Sequence, residues 1–434
     1  MRRLALTGLA LAMTTALTAC GGSGTTTAPA TAAADPAKVS GDITVLTNRT
    51  DLVNDGTMKK YADEFAKVYP NVRVTFEAIT DYEGEVKIRM NTENYGDVLL
   101  IPNAIAKGDY PKFFAPLGST GELSRKYQFI GAGTVNDQVY GLVSFAAANG
   151  FVYNKDLWAK AGVSAWPRTP EEFLSGLKAV KDKTGATPLY TNYKDGWPLT
   201  NWTNANGSVT CDPKAERVLV TEDPWAAGKD LNVIDSLLFN AVHQQLTEKD
   251  PATTNWEDSK KFLATGKIGA MWLGSWAIPQ MRAAATTAGR SPDSIAFMPF
   301  PSQAGGSWCS VLNPDYQYAV NNHSKNKPAA RAWLDWFVEK SGFSAANQGV
   351  SSVKSEPLPS ALKPYSDAGV KLIELETDQR VTVDNIDKEA EVGLKSPDYR
   401  QKLIDVARGA AKGDLNSVLA DLSARWKAGQ QAAA

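Results

Sequence analysis

Residues 139–177 of this chain, VYGLVSFAAANGFVYNKDLWAKAGVSAWPRTPEEFLSGL, constrain the fold more than any other stretch. Two strand-like runs, 139–143 and 151–153, are joined through the small residues Ala146, Ala147, Ala148 and Gly150. A short helix carrying Leu157 and Trp158 follows, and Gly162 suits the left-handed position that ends it. Next, Thr169 stands as an N-cap, Pro170 takes the first helical position and Glu172 completes a capping box. Phe173, Leu174, Leu177 and Val180 supply the apolar stripe of this second helix, and Gly185 stops it. A strand leaves one globular unit, crosses a flexible link and opens another. The chain, at 434 residues, is also too long for one ordinary core, so two or more domains are expected.

The charge balance of 46 basic against 47 acidic residues gives a net charge of −1, which offers nothing to a nucleic-acid backbone. The amino terminus reads as a targeting signal over residues 1–20: Arg2 and Arg3 precede the apolar run 4–17, which is too short to span a bilayer. Leu17-Thr18-Ala19-Cys20 resembles a bacterial lipobox, which implies cleavage before Cys20 and a lipid on its sulfur; an ordinary signal peptide with a chance cysteine is the other reading. The Gly/Ser/Thr/Ala/Pro-rich residues 21–38 fit a flexible tether to a membrane surface.

From Asp42 onward a strand, a helix with Met58, Tyr61, Phe65 and Val68 on one face, and a strand alternating at Val72, Val74 and Phe76 make a βαβ unit. A buried-strand signal at 97–101 extends that sheet. Loops at the strand carboxyl ends, 48–51, 81–82 and Asn103, are expected to face a cleft.

The order VYG, VYNKDLWAKAGV, Pro167 and TPEEF resembles the crossover of family 1 extracellular solute-binding proteins, the receptors of sugar ABC importers. Further similar pieces run from residue 42 to about residue 340, among them Gly266-Lys267 through Ala270-Met271 to Gly274-Ser275-Trp276, and Phe297-Met298-Pro299. The resemblance implies a two-lobed periplasmic-binding-protein fold (type II-like) with discontinuous lobes. Lobe one would take 39–148 plus 277–324, and lobe two 149–276 plus 325–434. It further implies a monomer that closes on a mono- or oligosaccharide, without a cofactor, and delivers it to ABC permease subunits while held to the membrane by its lipid. Residues 307–313 are longer than the family's turn, so no residue-by-residue match is carried over within that segment.

Reaction chemistry is poorly signalled. His243 and His323 are eighty positions apart with no HExxH or CxxC spacing, and Gly131-Ala132-Gly133 lacks the rest of a nucleotide loop. No catalytic group and no metal site is expected. Aromatic residues speak more clearly, because an indole covers the apolar face of a sugar while polar side chains pair with its hydroxyls. Trp333, Trp336 and Trp426 fit amphipathic stripes, whereas Trp197, Trp202, Trp276 and Trp308 lie in Gly/Asn/Pro-rich segments. By resemblance, Gly274, Ser275 and Trp276 border the ligand; hinge packing is the alternative for Trp276. Asn48, Arg49, Asp51, Tyr82, Asn103, Asp315 and Tyr316 are the remaining candidates, each of which also reads as turn or packing. A carbohydrate-active enzyme and a solute sensor for a signalling receptor are the rival functions. Cys211 and Cys309 form either a disulfide or two packed thiols. Against the bond stands the implied architecture, which puts the two cysteines in different lobes.

Overall fold

The computed structural model describes residue 30, residues 35–376 and residues 378–433. Cys20, the leader and most of the tether lie outside the described residues. Among those described, no helix is long and apolar enough to cross a membrane.

The βαβ unit forms as its pattern dictates. Strand Gly41–Thr47 pairs in parallel with Val72–Ala78 and, on its other side, with Val98–Leu100. The linking helix Thr57–Ala66 buries Met58 and Phe65. It ends before Val68, which is 45% exposed instead of on the stripe. Strands Gln317–Val320 and Leu142–Val143 complete a five-stranded sheet in antiparallel fashion. All three parallel strands point the same way, so the segments after residues 47, 78 and 100 share one edge of the sheet. Helix Lys327–Lys340 covers this sheet, with Trp333 edge-on to Phe65 at 5.2 Å and Phe337 against Tyr318 at 5.1 Å.

A second, seven-stranded sheet is built around the buried strand Phe145–Asn154, which pairs antiparallel with Cys309–Pro314, Ile268–Gly274, Ile295–Met298 and Val350–Ser351. Its helix Pro170–Thr184 starts as read: the Thr169 hydroxyl accepts from the Glu172 N–H at 3.2 Å, and Gly185 closes it at φ 71°. The capping box is displaced by one residue, because the Glu172 carboxylate accepts from the Arg168 N–H at 2.7 Å rather than from Thr169.

Each sheet with its helices is one lobe, and the chain crosses between them at places other than those expected. Leu142–Val143 belongs to the first sheet and Phe145–Asn154 to the second, so the first crossing is at Ser144. Residues 277–314 do not return to the first lobe: Ile295–Met298 and Cys309–Pro314 find their hydrogen-bond partners along Phe145–Asn154. The return is at Asp315 and Tyr316, just before Gln317–Val320. Helix Lys327–Lys340 then stays on the first lobe, since its apolar face needs Phe65 and Tyr318, and the third crossing follows it. The relocation of Cys309 removes the architectural objection to a disulfide. Cys211 and Cys309 are bonded, with Cα atoms 5.5 Å apart, inside the second lobe.

Candidate functional site

The crossings meet at a cavity of about 170 Å³. Asn48 and Arg49 reach it from the end of the first strand, Asp315 and Tyr316 from the return crossing, and Asn347 from the third. Trp276 and Gln280 form its second-lobe wall.

Trp276 owes its position to the strand before it. A β-carbon on Gly274 would lie 2.3 Å from the Trp276 indole nitrogen, so only glycine lets the ring fold back over the strand end. The Ser275 N–H donates to the Ala148 carbonyl at 2.8 Å and ties this turn to the central strand. Around Trp276 stand two further indoles, Trp197 at 5.9 Å and Trp256 at 5.9 Å, themselves 5.0 Å apart. Asp195 holds that pair together: its carboxylate accepts from the Trp256 N–H at 2.5 Å and its carbonyl from the Trp197 N–H at 2.8 Å. Trp197 is 36% exposed, a large open surface for an indole.

Across the cavity the polar groups divide into committed and free. Arg49 is committed, forking onto Asp51 at 2.9 and 2.7 Å and donating to Asn347 at 2.9 Å. Burial alone would raise the Asp51 pKa, but this fork holds it below the ordinary carboxylate value. Asp315 has no such partner. Burial pushes its pKa up to about 6, opposed only in part by the Tyr316 N–H and the Arg49 charge. A half-buried carboxylate with acceptor capacity beyond the Tyr316 N–H is suited to hydroxyl donors.

Residues 50–342, two-thirds of the chain, match the family of bacterial extracellular solute-binding proteins. The chain belongs to that family. It is a binding protein and not an enzyme. Its structure is similar, with a TM-score of 0.83 and 30% identity, to a binding protein of an ABC transporter from Bifidobacterium animalis subsp. lactis in complex with mannobiose, covering 92% of this chain and 96% of that one. A manno-oligosaccharide-specific solute-binding protein of the same organism, in complex with mannotriose, gives a TM-score of 0.83 at 28% identity over 91% and 95% of the two chains. The multiple sugar-binding protein of Streptococcus mutans is 23% identical over 326 residues, 70% of this chain and 75% of that one. The two-lobed periplasmic-binding-protein fold is thereby established.

Within this solute-binding protein, several sequence-derived candidates turn out to hold the scaffold. Tyr82 is 4% exposed, and its hydroxyl both donates to the Leu100 carbonyl and accepts from the Leu100 N–H. Trp202 is 2% exposed and packs in the second core against Phe151 and Trp272, because the Gly/Asn-rich segment coils into helical turns that turn its ring inward. Trp308 donates to the Pro167 carbonyl at 3.2 Å and meets Trp166 edge-on, away from the cavity. Asp51 acts on Arg49, and Gly274 and Ser275 act on Trp276. Asn103 stands at the rim, donating to Glu83 at 2.9 and 3.0 Å, while the Tyr316 hydroxyl donates to the same carboxylate at 2.7 Å.

Four contributors escaped the sequence reading: Glu83, Trp256, Gln280 and Asn347. Only Trp256 carried a signal. It follows Asn255, whose side chain caps helix Trp256–Ala264, so it sits at a helix start where an indole has no stripe to join.

Proposed function

We propose that this solute-binding protein is the receptor of an ABC importer. It captures a short oligosaccharide between its lobes without a cofactor, buries it by hinge closure and passes it intact to permease subunits as a monomer. The observation that carries this reading is one cavity that sets the Trp276 indole, backed by Trp197 and Trp256, against the Asp315 carboxylate, which keeps acceptor capacity beyond the Tyr316 N–H. A pyranose has apolar faces for the first and hydroxyl edges for the second. Trp276, Trp197 and Trp256 supply the platform, while Asn48, Asp315 and Asn347 receive or offer hydroxyl hydrogen bonds. Arg49 fixes Asn347, and Tyr316 and Asn103 border the opening. Mannose oligosaccharides are the first ligands to try, given the sugars bound by the structural relatives.

Calorimetric titration with mannobiose, mannotriose and raffinose tests the reading. One of these sugars binds stoichiometrically and is recovered uncleaved, and Trp276→Ala weakens it by about 1–3 kcal/mol. An unchanged dissociation constant in the folded variant would reduce Trp276 to hinge packing. Binding that accompanies hydrolysis of the sugar would overturn the receptor reading itself.

The pH dependence is a second, independent check. The Asp315 pKa lies above its ordinary 3.8, so this group's contribution to folding stability is full below that value and fades as pH rises through about 6. Sugar binding runs the opposite way, since the ionised carboxylate is the stronger acceptor for hydroxyl donors. Affinity should fall about tenfold from pH 7 to pH 5, where only about a tenth of Asp315 stays charged. Asp315→Asn should lose that dependence. A wild-type affinity flat across this window would separate Asp315 from the ligand.

Membrane attachment through Cys20 completes the proposal, on the strength of the lipobox and the tether behind it. Cys20→Ala should move the protein from the membrane to the soluble fraction, and continued membrane retention would refute the lipid anchor.

A further inference from the structure

The three crossings between the lobes are drawn together at one side chain. Phe145 is the first residue past the crossing at Ser144, and it is only 2% exposed. Its carbonyl accepts from the Asp315 N–H at 3.0 Å, on the return crossing. Opposite it in antiparallel register stands Ser351, just past the third crossing, and the Ser352 N–H donates to the Ser144 carbonyl at 3.1 Å.

The third crossing itself falls at Gly349, between helix Phe343–Ala346 on the first core and strand Val350–Ser351 of the second sheet. The Phe145 ring lies on this glycine. A β-carbon at Gly349 would sit 2.1 Å from the ring and 2.7 Å from the Phe145 β-carbon. Turning the ring relieves the first contact but not the second, so a side chain at this position forces the two backbones apart. Gly349 lies outside the left-handed region, so space and not φ demands the glycine. Its neighbour is pinned: Gln348, at φ 52°, donates to the Ala345 carbonyl at 2.9 Å and accepts from the Ala361 N–H at 2.9 Å.

Both backbones carry groups of the cavity. The Phe145 carbonyl fixes the backbone of Asp315. Asn347, two residues before Gly349, donates to the Phe343 carbonyl at 2.8 Å and accepts from Arg49 at 2.9 Å. A hinge is a few residues that absorb the torsion change of closure. Here those residues lie against one another, so one packing contact sets the spacing of the cavity's polar groups.

We infer that Gly349 is a positioning residue for ligand binding: its bare backbone seats Phe145, and that contact holds Asp315 and Asn347 at the spacing the bound sugar needs. This rests on the saccharide reading above and adds to it the hinge contact that governs the same site.

Gly349→Ala is titrated with mannobiose, mannotriose and raffinose, alongside wild type, Asp315→Asn and a control, Gly429→Ala. The control puts a β-carbon 2.6 Å from the Ile386 carbonyl on the last helix, a clash of the same kind away from the crossings. Circular dichroism and melting check each fold. Expected in Gly349→Ala alone of the two glycine variants is a loss of about tenfold or more for the sugar that wild type binds, the scale of one hydrogen bond to a charged group. Its residual binding should also be flat between pH 7 and pH 5, as in Asp315→Asn, a signature that a weakened fold does not produce. Arg49, Tyr316 and Tyr318, the charged and titratable groups around Asp315, all have raised pKa values and keep their protons across that window.

An unchanged affinity in folded Gly349→Ala, an equal loss in Gly429→Ala, or a retained pH dependence would overturn the inference. If Gly349→Ala does not fold, Phe145→Leu carries the test, because it takes the ring off the glycine without adding a clash. It should weaken the sugar by a similar factor, and an unchanged affinity again overturns the inference. Wild type that binds a sugar no better than folded Gly349→Ala leaves the saccharide reading standing and fells this inference alone. Wild type that binds none of the sugars ends both.

Discussion

Asp235→Ala should lower folding stability by about 3–5 kcal/mol, the cost of stranding a buried charge. Asp235 and Arg400 are both fully enclosed, with the Arg400 Nε donating to Asp235 Oδ1 at 3.0 Å. Trp225 donates to the other Asp235 oxygen at 2.8 Å. Truncating Asp235 leaves the guanidinium with neutral partners only, the Leu199 carbonyl at 3.2 Å and the Thr203 hydroxyl at 2.6 Å. Leu199 lies in the helical turn Trp197–Thr200 and Thr203 in the next, Asn201–Ala205, so ligand affinity should drop together with stability. Replacing both charges, as Asp235→Leu with Arg400→Met, should recover most of the loss, because burying a matched pair brings little net gain over apolar packing. Urea unfolding of the single and double variants measures this. A loss under about 1 kcal/mol for Asp235→Ala would mean that water reaches the guanidinium and that the pair is not buried in solution.

Removing the disulfide should have the next largest effect. Cys211 and Cys309 are 98 residues apart, and the chain-entropy model assigns about 4.7 kcal/mol to closing a loop of ~100 residues. Residual structure in the unfolded chain reduces that figure, so the expected loss for Cys211→Ser with Cys309→Ser is about 2–4 kcal/mol. Both cysteines belong to the second lobe, where the bond fastens the segment after Asn201–Ala205 to strand Cys309–Pro314. It therefore leaves hinge motion free, and lobe closure should survive its loss. Thermal melts with and without reductant, and alkylation of the unreduced, unfolded protein, provide the measurement. Full alkylation of both thiols would contradict the bond.

Much of this protein was legible before folding was considered. The Thr169, Pro170 and Gly185 signals set the ends of one helix, and the pattern Val72, Val74, Phe76 marked a strand. These features rest on neighbours within a few residues, where capping geometry and side-chain period act. Trp276 was singled out by its place in the Gly274-Ser275-Trp276 turn that the family resemblance marks, and the structure adds the physical reason: Gly274 leaves the space its ring occupies.

The aromatic candidates that failed share one cause. Trp202 and Trp308 sit in segments as rich in Gly, Asn and Pro as the one carrying Trp197, yet Trp202 fills the second core and Trp308 packs on Trp166. Composition reports that a segment is irregular, and it does not report which way a ring turns. Asn347 and Glu83 gave no local signal at all, because their roles consist of holding Arg49 and Tyr316, residues 298 and 233 positions away.

The sequence by itself determined that the chain builds two α/β units with a crossover between residues 139 and 177, since local periodicity, caps and turns are written in adjacent residues. Only the tertiary structure decided which strands belong to which lobe. Strands Ile295–Met298 and Cys309–Pro314 joined the second sheet because their backbone groups, like all buried ones, had to find partners, and the open positions lay along Phe145–Asn154. That choice brought Cys309 beside Cys211, set the return crossing at Asp315 and Tyr316, and so placed the Asp315 carboxylate at the same cavity as the Trp276 indole.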